Sequence, residues 1–572
     1  MRSAVSRAGC FPAMRGRIQE GVRVVGRLAS VAVLFAAACD LGSAGDPPPR
    51  GGLYFPSALE ISGDVDGDAK PDYLFVANSN FDLRYASGSV QAIDLDAVDD
   101  EINGCEGKDG LIRCAEDHAA CREDCRVADA SVAIDDAGIA CGRCVNRDSC
   151  EEPADAGEAY DRACDDCFEA CDDARDACHA KIPYDDGKCF VDPTSDAVFA
   201  GDLAVGSFAT ALGLTPDGER LLVATRTDDA MTLVKIREED SDGRVLSCGS
   251  DSRDCGVAST RPNESSDALP RWPGDPTDVL VGRMSDWLGA GASGNYALVA
   301  HRRGAVSLFI DKTGNGKYEL AHTLERFPSA FPGGVQLTGM ARDPGTGLVH
   351  TSLTFSVAGA PGFGLKLGRL GVALPTDAAT NPGLYDRARL YDAGVLRLDG
   401  LGGQTSTRAL AFVDGIADAS GGESGPRALV VAEAPTSLVF ADVDPADNEP
   451  GLARVSRITE VGQGAARVVA GTLGTPGAPD AVQVALVSCF DSREVFVIDL
   501  ATGLARSVVR NLSGPFEIAL DGPRARLYVA DFRSSILRVL DLSSVMRAGP
   551  DGETTARLMA TIGKPRIVQE LR

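Results

Sequence analysis

Phe516-Glu-Ile-Ala-Leu-Asp-Gly522, Arg526-Leu-Tyr-Val-Ala-Asp531 and Ile536-Leu-Arg-Val-Leu-Asp-Leu542 form the stretch on which the fold turns. Short runs rich in Val, Leu, Ile and Tyr, separated by turns with Gly, Asp or Ser, read as strands, and two in succession as a β-hairpin. The same pair recurs at 73–79 with 88–95, 220–225 with 231–236, 295–301 with 305–311, 347–353 with 365–371, 428–433 with 437–442, and 482–489 with 494–500. A preceding run, as at 209–218, supplies a further inner strand. Four strands per unit and seven units predict an all-β chain folded as a seven-bladed β-propeller.

The units resemble YVTN-type, surface-layer-like propeller repeats, carried here by Pro216-Asp-Gly218 and Leu527-Tyr-Val-Ala-Asp531. The resemblance covers about 53–97 and 197–565 and is degenerate in the fourth and fifth units. It implies a binding scaffold. By fold analogy it also allows lactonase or quinone- or haem-dependent dehydrogenase activity. The final run, 556–563, has no repeat after it and is expected to become the outer strand of the first blade, closing the ring.

Outside the repeats, Arg15 to Arg27 form a basic region before the apolar run 28–38, which is too short to span a bilayer and has the flanks of a signal peptide. Ala37 and Ala38 before Cys39 resemble a bacterial lipobox, which implies cleavage there and lipidation of Cys39. The predicted protein is an exported, membrane-anchored envelope lipoprotein, and Asp40 leaves inner or outer membrane open. The predicted organisation is signal peptide 1–38, Pro/Gly-rich tether 39–52, propeller 53–97 and 190–572, and an insertion at 98–189.

Twelve of the 17 cysteines fall within that insertion. Export makes disulfides the default. Cys114, Cys121 and Cys125 mirror Cys178, Cys171 and Cys167, the register of an antiparallel pair. The Ala-, Glu- and Arg-rich context predicts a small, disulfide-rich α-helical hairpin with these three rungs. Cys105 and Cys189 close its base, and Cys141, Cys144, Cys150 and Cys164 form two bonds near the tip. A competing arrangement takes Cys141, Cys144, Cys164 and Cys167 as a four-thiolate zinc site. Cys248 and Cys255 read as a loop disulfide, and Cys489 as a buried thiol.

The net charge of −27 excludes a nucleic-acid partner, which needs basic stripes. Cationic ligands or basic surfaces, including a protein in the envelope, suit it better. Asp64, Asp66, Asp68 and Asp72, with the Lys70 carbonyl, have the spacing of a calcium loop and are similar to those of integrin-type propellers; Asp311, Thr313, Asn315 and Glu319 echo them. Structural Ca²⁺ is therefore the one cofactor expected. Gly289 to Gly294 matches a dinucleotide pattern but precedes a strand, so it reads as a loop. His118, His179, His301, His322 and His350 are scattered, and His301 and His350 read as ordinary strand residues. Without a nucleophile elbow, P-loop or metalloprotease signature, a non-catalytic binding scaffold is the leading function. The enzyme alternative gains if His or carboxylate side chains converge in an axial channel.

Overall fold

The computed structural model describes residues 48–64, 67–83, 85, 87–104, 190–226, 230–236, 245–248, 273–331, 335–355, 365–398, 406–413, 416–417, 423–424, 427–443, 451–478, 481–547 and 556–564. Strands dominate them, arranged in small antiparallel sheets. The first sheet pairs Pro56–Ile61, Tyr73–Asn78, Gly88–Asp94 and Phe199–Val205 in that order. The pattern repeats in sheets opened by Ala209–Leu214, Pro276–Arg283, Val335–Arg342, Thr407–Val413, Ala465–Leu473 and Pro515–Asp521. The fourth and fifth are joined at their outer strands by a short parallel bridge, Arg397 to Leu452 and Leu398 to Ala453.

Each opening strand lies beside the opening strand of the next sheet, and Pro515–Asp521 lies beside Pro56–Ile61. The sheets therefore stand around an axis lined by their first strands, a propeller-like architecture.

The apolar runs explain this arrangement. In Tyr73–Asn78, Leu74 and Val76 enter a core shared with the last sheet, whereas Phe75 and Ala77 enter a core shared with the second. A strand turns successive side chains to opposite faces, so a strand wedged between two cores must be apolar at every position. Leu527 and Val529 against Tyr528 and Ala530 repeat the division. Near the axis the sheets converge and small residues are required. A Cβ on Gly213 would lie 2.7 Å from Val281 Cγ2 of the next opening strand, and one on Gly471 would lie 2.7 Å from Leu520 Cδ2.

The seam differs from the sequence expectation. Arg557–Ile562 pairs with Ile536–Asp541 and completes the last sheet, and the outer strand of the first sheet is Phe199–Val205. The C-terminal run is joined to its partner by a short connection, so pairing there has a small loop-closure cost. The ring is closed instead by Phe190 and Val191, which run parallel to Thr561 and Ile562 before the chain returns to the first sheet. A helix, Leu95–Gly104, crosses the expected boundary at 97/98 and buries Leu95, Val98 and Ile102 in the same seam. Arg524 secures it by donating to the Pro71 carbonyl at 2.6 Å and pairing with Asp96, Asp99 and Asp521.

Candidate functional site

One end of the axis is built by the segments that enter the opening strands and by the turns between second and third strands. The entry segments are latched by the last residue of a second strand. Asn78 Oδ1 accepts from Tyr54 N at 3.1 Å, a carboxylate oxygen of Asp531 accepts from Ser513 N at 2.9 Å, and His301 Nδ1 lies 2.9 Å from the Gly274 carbonyl. Each partner stands two residues before its opening strand. The residue between is left-handed at Phe55 (φ 50°), Phe208 (φ 57°), Asp275 (φ 51°) and Gly514 (φ 83°). Glycine adopts this conformation freely, and other residues do so at a cost of order 1 kcal/mol or more. Phenylalanine at 55 and 208 is thus kept against backbone preference, and the two rings pack against Phe532 and Phe81 respectively.

A cavity of about 700 Å³ opens at this end. Phe81, Phe208, Phe490, Phe516 and Phe532 form one wall. Their rings touch in sequence, Phe208 to Phe81 at 6.0 Å, Phe81 to Phe532 at 5.6 Å and Phe532 to Phe516 at 5.7 Å, with Phe55 5.2 Å from Phe532. Phe81 is 58% exposed, an unusual state for so large an apolar side chain among packed neighbours. The other wall is polar: Arg226 pairs with Asp275, and Arg408 with Glu433. Ser57 donates to the Ala209 carbonyl at 2.6 Å, and Thr210 to the Pro276 carbonyl at 3.0 Å, which ties successive opening strands beneath the cavity.

Deeper in the channel, Glu60, Asp278, Glu517 and Arg467 from four opening strands come within electrostatic reach of one another. Arg467, which also lines the cavity and lies 5.5 Å over the Phe516 ring, donates to Glu517 Oε2 at 2.8 Å. Asp278 accepts from Met340 N at 2.6 Å. Loss of water, reinforced by Glu517 and Asp278, pushes the Glu60 carboxyl up to about 8. Loss of water also raises Asp278 to about 6, against the opposing pull of Arg467. Burial is the larger cause in both, and repulsion between the carboxyl groups adds to it, offset at Asp278 alone by Arg467.

These four residues were not among the sequence candidates. A signal was present: Pro276-Thr-Asp278-Val and Pro515-Phe-Glu517-Ile each place an acid two residues after a proline inside an otherwise apolar opening strand.

The sequence candidates lie elsewhere. His301 is fully buried between the Gly274 carbonyl and Ser307 Oγ (3.0 Å), and burial lowers it to about 4. His350 packs 5.2 Å from Phe412 and is likewise held near 4 by burial, so neither faces the cavity. His322 accepts from Leu390 N. Cys489 is buried and free, and Cys248 is disulfide-bonded, its expected partner Cys255 lying outside the described residues.

The two aspartate loops follow the ends of strands remote from the cavity and share one conformation. Asp64 accepts from Gly67 N and Ala69 N at 2.6 and 2.9 Å; Asp311 accepts from Gly314 N and Gly316 N at 3.0 and 2.6 Å. Asp68 accepts from Lys70 N, and Asn315 from Lys317 N. Lys70 Nζ pairs with Asp68, the Asp72 amide donates to Ser62 Oγ, and Glu319 pairs with Lys312 and Lys317. Among the described residues no three His, Cys, Asp or Glu side chains converge as metal ligands. Asp66, Cys39, His118, His179 and every cysteine from Cys105 to Cys189 lie outside those residues.

No family model and no curated protein matches the chain. Solved structures similar to it include Kuenenia stuttgartiensis hydrazine synthase, at 10% identity over 86% of this chain and 97% of that one, with a TM-score of 0.38. A candidate 6-phosphogluconolactonase from Bacteroides uniformis is 13% identical over 64% and 89% (TM-score 0.39). The Cps50 (Swd1) β-propeller domain of Myceliophteria thermophila is 13% identical over 60% and 85% (TM-score 0.34). At these scores the likenesses carry no argument, and the fold stands on the sheet order given above.

Proposed function

We propose that the protein is a seven-bladed β-propeller, exported and lipidated at Cys39, that serves the cell envelope as a non-catalytic binding protein with its ligand in the axial cavity. The observation that carries this reading is the phenylalanine wall, part of it mounted on left-handed backbone and part of it open to solvent. A cavity of this volume falls in the range of small-ligand sites, whose walls are mainly apolar with a few placed polar groups. Among the described residues His301 latches an entry segment and His350 is buried against Phe412, and this supports binding over turnover. Structural Ca²⁺ at Asp64, Asp66, Asp68 and Asp72 remains part of the proposal on the strength of its spacing, and so does the disulfide-bonded hairpin.

Native mass spectrometry of protein extracted from its own membranes is the test. A small molecule should accompany wild type and be absent from a Phe208→Ala, Phe532→Ala double variant that keeps its thermal unfolding transition. An empty wild-type protein, or an equal load on both, overturns the assignment of the cavity. Cys39→Ser should move the protein from membrane to soluble fractions.

A second reading, an enzyme, draws on the channel acids. A carboxyl group held protonated beside an ionised one is the pairing of a general acid with a general base. Lactone hydrolysis that disappears in Glu60→Gln and Asp278→Asn would favour it.

A further inference from the structure

The chemistry of the ligand follows from an imbalance of charge. At the cavity mouth Arg226 is matched by Asp275, Arg408 by Glu433, and Arg533 by Asp491 at 3.8 Å. Below them Arg467 is matched by Glu517. The Ala209–Leu214 strand brings no titratable group to the channel, and Arg342 of Val335–Arg342 pairs with Asp286 at 3.7 Å. Among the described residues the cations facing the channel are therefore all engaged, while Glu60 and Asp278 have no cation of their own. The Glu60 carboxyl also meets no hydrogen-bond donor among those residues, although the surrounding strands strip most of its water. Glu60 lies three residues along its strand from Ser57 at the cavity lining, about 10 Å deeper by strand rise.

We propose that the axial cavity binds a small organic cation, with an ammonium or guanidinium group directed to Glu60 and Asp278 and an apolar body against Phe81, Phe208 and Phe532. The proposal rests on the cavity being the ligand site and adds the class of ligand. Aromatic faces attract cations as well as apolar groups, and Arg533 already lies 4.5 Å over Phe490. The net charge of −27 steers cations toward the molecule. Arrival of the cation stabilises the ionised form of Glu60, so binding expels its proton. An amine remains protonated over the same range, so affinity should rise with pH from 6 to 8, by up to about tenfold per unit.

Calorimetric titration of the mature full-length protein with 4-phenylbutylamine and with neutral 4-phenylbutanol provides the test. The amine should bind at least tenfold more tightly at pH 8 and release protons at pH 7, read from the dependence of heat on buffer ionisation. Glu60→Gln and Asp278→Asn should each remove that preference while binding the alcohol as wild type does, which also shows that the variants are folded. Equal affinity for amine and alcohol, or a preference unchanged in both variants, overturns the cation inference and leaves the cavity as a ligand site. If neither probe binds, both readings fall.

Discussion

Carboxyl groups occur within the channel and in two turns that follow strand ends, and their surroundings differ in the supply of donors. In the remote turns, Asp64 and Asp311 each receive backbone N–H groups supplied by their own loop. In the channel, Glu60 receives none among the described residues, and Asp278 accepts from Met340 N at 2.6 Å and more weakly from Val279 N. Dense acidic patterning in the sequence therefore marks turns that satisfy themselves, whereas the acids left in want of a partner are single residues in apolar strands. Buried acids differ in consequence according to whether hydrogen bonds replace lost water.

The largest effect expected from this contrast is in pH dependence. Between 4.5 and about 8, folded Glu60 holds a proton that the unfolded chain has lost, so stability falls as pH rises through that window. Glu60→Gln should remove most of the slope, on the order of 5 kcal/mol between its limits, as measured by denaturant unfolding across pH. A slope unchanged in the variant would place the titration elsewhere.

A smaller effect is expected at the remote end. Asp311 is fully buried, and Asp311→Ala orphans the N–H groups of residues 313, 314 and 316, with a cost of about 2 kcal/mol. Asp64→Ala, in an exposed loop of the same conformation, should cost less than about 1 kcal/mol. Equal losses at the two positions would show that loop conformation and not burial sets the energy.

The smallest difference concerns the latches. His301 and Asn78 both hold an entry segment, so His301→Asn should cost under about 1 kcal/mol, and His301→Ala more, by thermal unfolding. Because burial holds His301 near 4 against an unfolded value of 6.5, the unfolded chain binds its proton first, and wild-type stability should decline as pH falls from 6.5 to 4. His301→Asn should lose that part of the decline.

Much of the architecture was legible. The hairpins at 73–79, 220–225 and 526–531 fall on observed second strands because a strand buried on both faces leaves an unbroken apolar run. The seam was not legible. Phe199–Val205 pairs with Gly88–Asp94 across the long intervening segment, and sequence adjacency offers no sign of so distant a partner. His301 read as an ordinary strand residue, and its role as a latch was not legible, since the Gly274 carbonyl it meets precedes it by 27 residues.

What the sequence by itself determined is periodicity: strand, turn and repeat follow from local chemistry, and the shared conformation of the Asp64 and Asp311 loops follows from their shared spacing. What only the tertiary structure decided is convergence. Glu60, Asp278, Arg467 and Glu517 are separated by up to several hundred residues, and each alone is one charge in an apolar strand. Closing the sheets around an axis brings them into a common, poorly hydrated space, where the protonation of Glu60 and Asp278 depends on the charges beside them.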